Sequence, residues 1–212
     1  GALLALLPLY AASGIHSIQP HERAVVRVLG RIQSDPWGPG LHWTLPRPFA
    51  EVLRLDAARL RSVSVGTPAA PTNVPLSDEN LWRDGVLTAR ANLIRARWAI
   101  RYAIDDPVAW VTSADSPLAV ISNELRRAVV RSTATMELDA VLRSDIDVLR
   151  ERIEEEVRRR LGQHRLGVRV ERVEAVELAP PFAVATAFED VTRAAQEKAA
   201  RVEEARRYAA RL

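Results

Sequence analysis

The chain has 212 residues, of which 48% are hydrophobic and 27% are charged, and its formal net charge is +3 at pH 7. This composition excludes a largely disordered chain, and acidic residues interleave with the arginines, which argues against the dense basic stripe of a nucleic-acid-binding protein. The absence of cysteine excludes disulfides, thiolate metal sites and cysteine nucleophiles.

The N-terminal stretch is apolar. Residues 1–20 contain no Asp, Glu, Lys or Arg, and residues 2–12 are almost continuously apolar. A spanning helix needs about 20 apolar residues. We expect residues 1–15 to be the distal half of a transmembrane helix, because Tyr10 and then polar residues follow in the order typical of a membrane exit. The core of a signal peptide and a buried helix are the alternatives.

Strands dominate the next part of the chain. Residues 23–32, 49–56 and 60–66 are rich in β-branched residues or bounded by turn residues, which predicts strands. Pro39 and Gly40 have the chemistry of a type II turn. Residues 67–86 contain three prolines and are predicted to form a loop.

A strictly alternating strand follows. From residue 94 to residue 104, apolar residues occupy every second position. This period of two predicts a half-buried strand. Its other face carries Arg95, Arg97 and Arg101, which either form a solvated face or face a partner.

Helices are predicted in the second half. Asp106-Pro107 and Ser116-Pro117 are helix starts, since proline suits the first helical position. A further helix is expected from Ser144 to Gly162, followed by a strand over residues 168–178. Residues 182–212 lack Gly and Pro and predict one continuous helix. The order of elements predicts an α+β fold.

The last helix carries a strict heptad pattern. Its apolar seam is spaced alternately by four and three residues and comprises Val184, Phe188, Val191, Ala195, Lys198, Val202, Ala205 and Ala209. A sustained period of 3.5 indicates left-handed packing against neighbouring helices, with Lys198 as the polar position that can set register. A solvated single helix is the alternative.

No motif for catalysis or metal binding is present. The sequence lacks nucleophile-elbow, zinc-protease, phosphate-loop and dinucleotide-binding patterns, and its four histidines are not spaced as metal ligands. We therefore predict no catalytic residues, no metal and no cofactor. A hydrolase site assembled from distant residues remains an alternative.

Six segments resemble, in order, the SPFH (band 7) domain shared by stomatins, prohibitins, flotillins and HflK: residues 22–26, 30–31, 38–46, 92–107, 136–142 and 167–191. The G-P-G-L-H-W and A-F-E-D-V sequences are similar to those of HflK-type members. Two features differ from that branch, namely Ala-Arg-Ala at residues 89–91 and the arginine face, which suggests an altered partner surface.

The resemblance implies an SPFH domain of two small α/β subdomains, preceded by a transmembrane anchor and followed by a long coiled-coil-like helix. The expected boundaries are 1–15 for the anchor, 16–86 for the first, membrane-proximal subdomain, 87–180 for the second and 181–212 for the start of the helix.

The resemblance also implies a non-enzymatic scaffold in a large ring or cage. It would lie in the bacterial inner membrane with its domain in the periplasm. Expected partners are copies of itself, an HflC-like subunit, membrane lipid and an FtsH-like AAA protease. The side chains expected to contact the bilayer are Trp37, Leu41, Trp43 and Phe49. The alternative is that these side chains fill the core of the small first subdomain. An exported soluble module that binds an acidic ligand is the competing interpretation.

Overall fold

The computed structural model describes residues 10, 13–57, 59–66, 85–180 and 182–209 and shows a mixed α/β protein. The strands are β1 (Ile15–Ile18), β2 (Glu22–Val28), β3 (Arg31–Ile32), β4 (Gly40–Trp43), β5 (Ala50–Asp56), β6 (Arg61–Val65), β7 (Gly85–Leu87), β8 (Leu93–Ile104) and β9 (Val168–Ala179). The helices are α1 (Pro107–Thr112), α2 (Pro117–Thr133), a π-helix (Ala140–Ser144), α3 (Ile146–His164) and α4 (Phe182–Ala209).

The chain forms two compact units, each assembled from three segments. The first unit comprises Gly1–Val65, Ala99–Val129 and Arg150–Glu174, and the second comprises Gly66–Trp98, Val130–Leu149 and Ala175–Leu212. Strands β8 and β9 contribute residues to both units. The boundaries expected at residues 15/16, 86/87 and 180/181 stay predictions.

The part of the chain before residue 66 contains two small antiparallel sheets. One pairs β1 with β4, and the other has the order β3-β2-β5. The single strand predicted over residues 23–32 is in fact a hairpin, because Leu29 and Gly30 adopt φ of 49° and 82° and join β2 to β3. Positive φ at both central residues is the geometry of a type I′ turn. A leucine at the first of these positions gives little local signal for it.

The long strand β8 is the centre of a four-stranded sheet. It pairs with β6, β7 and β9. The predicted apolar face is confirmed, since Ile94, Trp98 and Ile100 are fully buried. The opposite face is not simply solvated, because Ala99 and Ala103 are buried there too.

Strand β9 has β8 as its only strand partner among the described residues, and side chains of α3 bond to its backbone. Glu154 accepts a hydrogen bond from the amide of Val173, and Arg158 donates to the carbonyl of Val170. The two side chains also form an ion pair of 2.8 Å. These bonds attach α3 to β9.

Helix starts agree well with the sequence and helix ends less so. Asp106 caps α1 by accepting from the amides of Val108 and Ala109, and α2 begins at Pro117. Helix α3 begins two residues after Ser144 and continues past Gly162 to His164. It ends just before Arg165, which takes a positive φ of 50°. Gly167 follows with φ of 66°, and a Cβ at that position would meet the Asp106 carbonyl oxygen at 2.3 Å.

The predicted N-terminal anchor falls mostly on residues 1–9, 11 and 12, which lie outside the described part of the chain. Among the described residues, no helix is both long and apolar enough to cross a membrane. Of the loop predicted over residues 67–86, residues 67–84 also lie outside the described part, and residues 85 and 86 belong to β7 instead.

Candidate functional site

Strands β1 and β4 present an exposed apolar face. Ile15 lies opposite Trp43 and Ser17 opposite Leu41, so these four side chains share one side of the two-stranded sheet. Ile15, Leu41 and Trp43 are 51%, 74% and 57% exposed. We call these three residues the β1/β4 apolar face. The sequence did not single out Ile15, because only the pairing with β4 places it beside Trp43.

Further apolar side chains are exposed just after β4. Leu45 and Phe49 are 40% and 49% exposed. Between them, the carbonyl of Arg47 accepts a hydrogen bond of 2.8 Å from the Tyr10 hydroxyl. Phe49 is thus about half exposed. The bilayer contact expected for this side chain stays a prediction.

Trp37 has a different setting from Leu41 and Trp43. Its backbone exchanges two hydrogen bonds with Ala24, at 3.0 and 2.8 Å. Its ring stacks on His42 with a centroid distance of 4.8 Å, and His42 Nε2 lies 2.9 Å from the Gly38 carbonyl oxygen. His42 alternates with Leu41 and Trp43 along β4, so Trp37 packs against the other side of that strand.

The arginine row of β8 is engaged within the chain. Arg95 and Arg97 both pair with Glu177, at 2.7 and 3.2 Å. Arg101 pairs with Glu174 at 3.3 Å. These pairs weaken the interpretation of the row as a ready site for an acidic ligand, since the cationic groups already have carboxylate partners. A role in facing a partner subunit stays a prediction.

Helix α4 exposes its heptad seam. Val191 and Val202 are 65% and 41% exposed, and Ala195, Lys198, Ala205 and Ala209 are exposed as well. The side chains of Val184 and Phe188 lie outside the described set. The described seam residues are exposed along a helix of 28 residues, which favours an intermolecular role.

The charges beside the seam pair along the helix. Arg193 pairs with Asp190 and Arg206 with Glu203, each three residues apart. Pairs of this kind on an exposed helix stabilise it by only about 0.2–0.5 kcal/mol each.

A buried carboxylate joins α2 to α3. The Glu124 side chain is only 4% exposed and contacts Arg160 at 3.4 Å and His164 at 3.2 Å. Arg127, one turn further along α2, lies 3.1 Å away. This cluster could not be predicted from the sequence, because Glu124 lies among charged residues that resemble an ordinary solvated face.

Arg160 also links Glu124 to Glu156. Hydrogen bonds from Arg159 and Arg160 lower the pKa of the Glu156 carboxyl, and Glu156 in turn raises the pKa of Arg160. Both groups are thus held in their charged forms. Burial raises the pKa of the Tyr102 phenol, which is stacked on Trp110 at 5.9 Å. Tyr102 is almost fully buried and belongs to the core.

The geometry offers no catalytic or metal centre among the described residues. No group of three or more His, Asp or Glu side chains is arranged to hold a metal ion in the part of the chain that the structure covers. The two best-defined features are surfaces, the β1/β4 apolar face and the seam of α4. Such surfaces are suited to binding lipid or protein.

Sequence comparisons identify the family of the chain. Residues 16–209 match the profile of the SPFH domain / Band 7 family. Protein HflK of Treponema pallidum is 27% identical over 209 residues, which is 93% of this chain and 61% of the relative. Protein HflK of Borreliella burgdorferi is 22% identical, covering 96% and 65%. The Escherichia coli K12 relative named "Modulator of FtsH protease HflK" is 26% identical, covering 98% and 45%. The chain thus spans less than two thirds of the length of these relatives.

Proposed function

Because the chain belongs to the SPFH domain / Band 7 family, we propose that it is a scaffold subunit and not an enzyme. Further copies, or a related SPFH subunit, assemble beside it into a ring or cage. The observation that carries this proposal is α4, whose heptad seam has exposed valines at 191 and 202. A seam of this kind is stable only when a neighbouring helix covers it.

The proposal places the assembly at a bacterial inner membrane. The apolar residues that precede β1 would form the end of a membrane anchor, and the folded domain would face the periplasm. Support comes from the apolar N-terminal composition and from the HflK relatives. The β1/β4 apolar face then lies at the bilayer surface, where a tryptophan beside aliphatic residues is favoured.

The proposed partner is a membrane AAA protease of the FtsH type, because the Escherichia coli relative is named as a modulator of FtsH protease. Affinity purification of the full-length protein from detergent-solubilised membranes should recover this protease. Loss of the protein should change the half-life of the protease's membrane substrates. Recovery of no protease, together with unchanged half-lives, would reject this part of the proposal.

We predict that the β1/β4 apolar face binds lipid. In a chain without residues 1–12, replacing Ile15, Leu41 and Trp43 with serine should lower partition onto phosphatidylglycerol-containing vesicles at least tenfold. Each of the three side chains is at least half exposed. Burying its apolar surface in the bilayer contributes about 1 kcal/mol per residue. Vesicle sedimentation measures the change, and circular dichroism checks that the fold is retained.

The matched control removes three apolar side chains of similar exposure elsewhere. Leu87, Leu118 and Val148 are 50%, 48% and 45% exposed. Their replacement with serine should leave the partition unchanged. Equal partition of the unsubstituted chain and the β1/β4 variant would show that this face does not contact the bilayer.

A further inference from the structure

The carbonyl of Pro180 lies just ahead of α4, which begins at Phe182. Arg95 Nε donates a hydrogen bond of 3.2 Å to that carbonyl, and its guanidinium also binds Glu177 at 2.7 Å. Arg97 binds the second carboxylate oxygen of Glu177 at 3.2 Å. Arg95 of β8 therefore joins the end of β9 to the segment that leads into α4, and Arg97 adds a second bond to the end of β9.

This arrangement is partly protected from water. The side chains of Arg95, Arg97 and Glu177 are 23%, 29% and 20% exposed. Charge-assisted hydrogen bonds are stronger and more directional than neutral ones, and partial burial reduces their screening. Pairing of one carboxylate with two guanidinium groups also restrains the rotamers of all three side chains.

We propose that Glu177, held by Arg95 and Arg97, is a positioning residue that fixes the direction in which α4 leaves its sheet. The helix has 28 residues and is therefore about 42 Å long at 1.5 Å per residue. A change of about 10° at its base displaces its far end by roughly 7 Å, since displacement grows with helix length. We call Arg95, Arg97 and Glu177 the clamp. The inference rests on the proposed function, in which the clamp keeps neighbouring α4 helices aligned.

The neighbouring ion pair provides a matched control. Arg101 and Glu174 join the same two strands, but their side chains are 54% and 33% exposed. Among the described residues, Arg101 and Glu174 bond to each other and not to the segment that leads into α4, and both belong to the first compact unit. Loss of the Glu174 carboxylate removes a cross-strand ion pair without touching the helix base.

The test is a distance measurement within one chain. The sequence contains no cysteine, so spin labels can be attached only at introduced cysteines, at Ala89 and at Gln196 on α4. Labelled chains are diluted with unlabelled protein and measured by pulsed electron resonance. Glu177→Gln should at least double the width of the distance distribution, and Glu174→Gln should leave it unchanged.

A second variant guards against misfolding. Arg95→Lys keeps the charge but removes the Nε bond to Pro180, and it should broaden the distribution to an intermediate extent. If both the Glu177→Gln and Arg95→Lys distributions match the unsubstituted chain, the clamp is refuted. If the unsubstituted chain gives a narrow distance distribution but does not assemble, the result would contradict the scaffold function and not the clamp.

Discussion

Replacing Val191 and Val202 with aspartate together should convert the assembled protein into single chains. Both valines lie on the exposed seam of α4, and in an assembly each would be covered by a neighbouring helix. Loss of two buried valines removes about 3 kcal/mol from each contact between neighbours, which weakens it at least a hundredfold. A buried unpaired carboxylate adds a further penalty. Size-exclusion chromatography with light scattering measures the change.

The control carries the same added charge on the opposite side of α4. Gln196 and Ala200 are exposed and lie away from the seam, so their replacement with aspartate should leave the assembly intact. Circular dichroism should show equal helix content in both variants. If the seam variant assembles as the control does, the contact between subunits lies elsewhere on the chain.

Replacing Glu124 with alanine should lower the free energy of unfolding by about 2–4 kcal/mol. The carboxylate is almost fully buried and contacts Arg127, Arg160 and His164. Removing one partner of a buried ion pair typically costs about 3–5 kcal/mol. The lower end is expected here, because Arg160 keeps Glu156 as a partner and Arg127 is 68% exposed to water. Urea denaturation measures the difference.

Glu155→Ala is the matched control, because Glu155 lies on α3 with its side chain exposed. Its replacement should change the unfolding free energy by less than about 0.5 kcal/mol. Equal stability of the Glu124 variant and the unsubstituted chain would show that the cluster does not hold α2 and α3 together.

The sequence predicted those features that depend on local chemistry. Alternation of apolar residues located β8, and proline after Asp106 or Ser116 located the starts of α1 and α2. The absence of Gly and Pro correctly predicted an unbroken α4 over its described residues. Each of these signals lies within the segment that forms the strand or helix itself.

Features that depend on distant pairing were not predictable in this way. Glu177 lies 82 residues from Arg95 along the chain, so nothing in the local sequence identifies it as the arginine's partner. Ile15 becomes part of an apolar face only through its register with Trp43. Helix α3 passes the expected stop at Gly162 and ends at His164, before Arg165 takes a positive φ that the sequence does not signal.

The mass and shape of the full-length protein extracted in mild detergent test the scaffold function most directly. Light scattering should give a protein mass many times the 23.5 kDa of this chain, and electron microscopy should show closed rings or cages. A monodisperse species with the mass of a single full-length chain, without such particles, would contradict the proposed function.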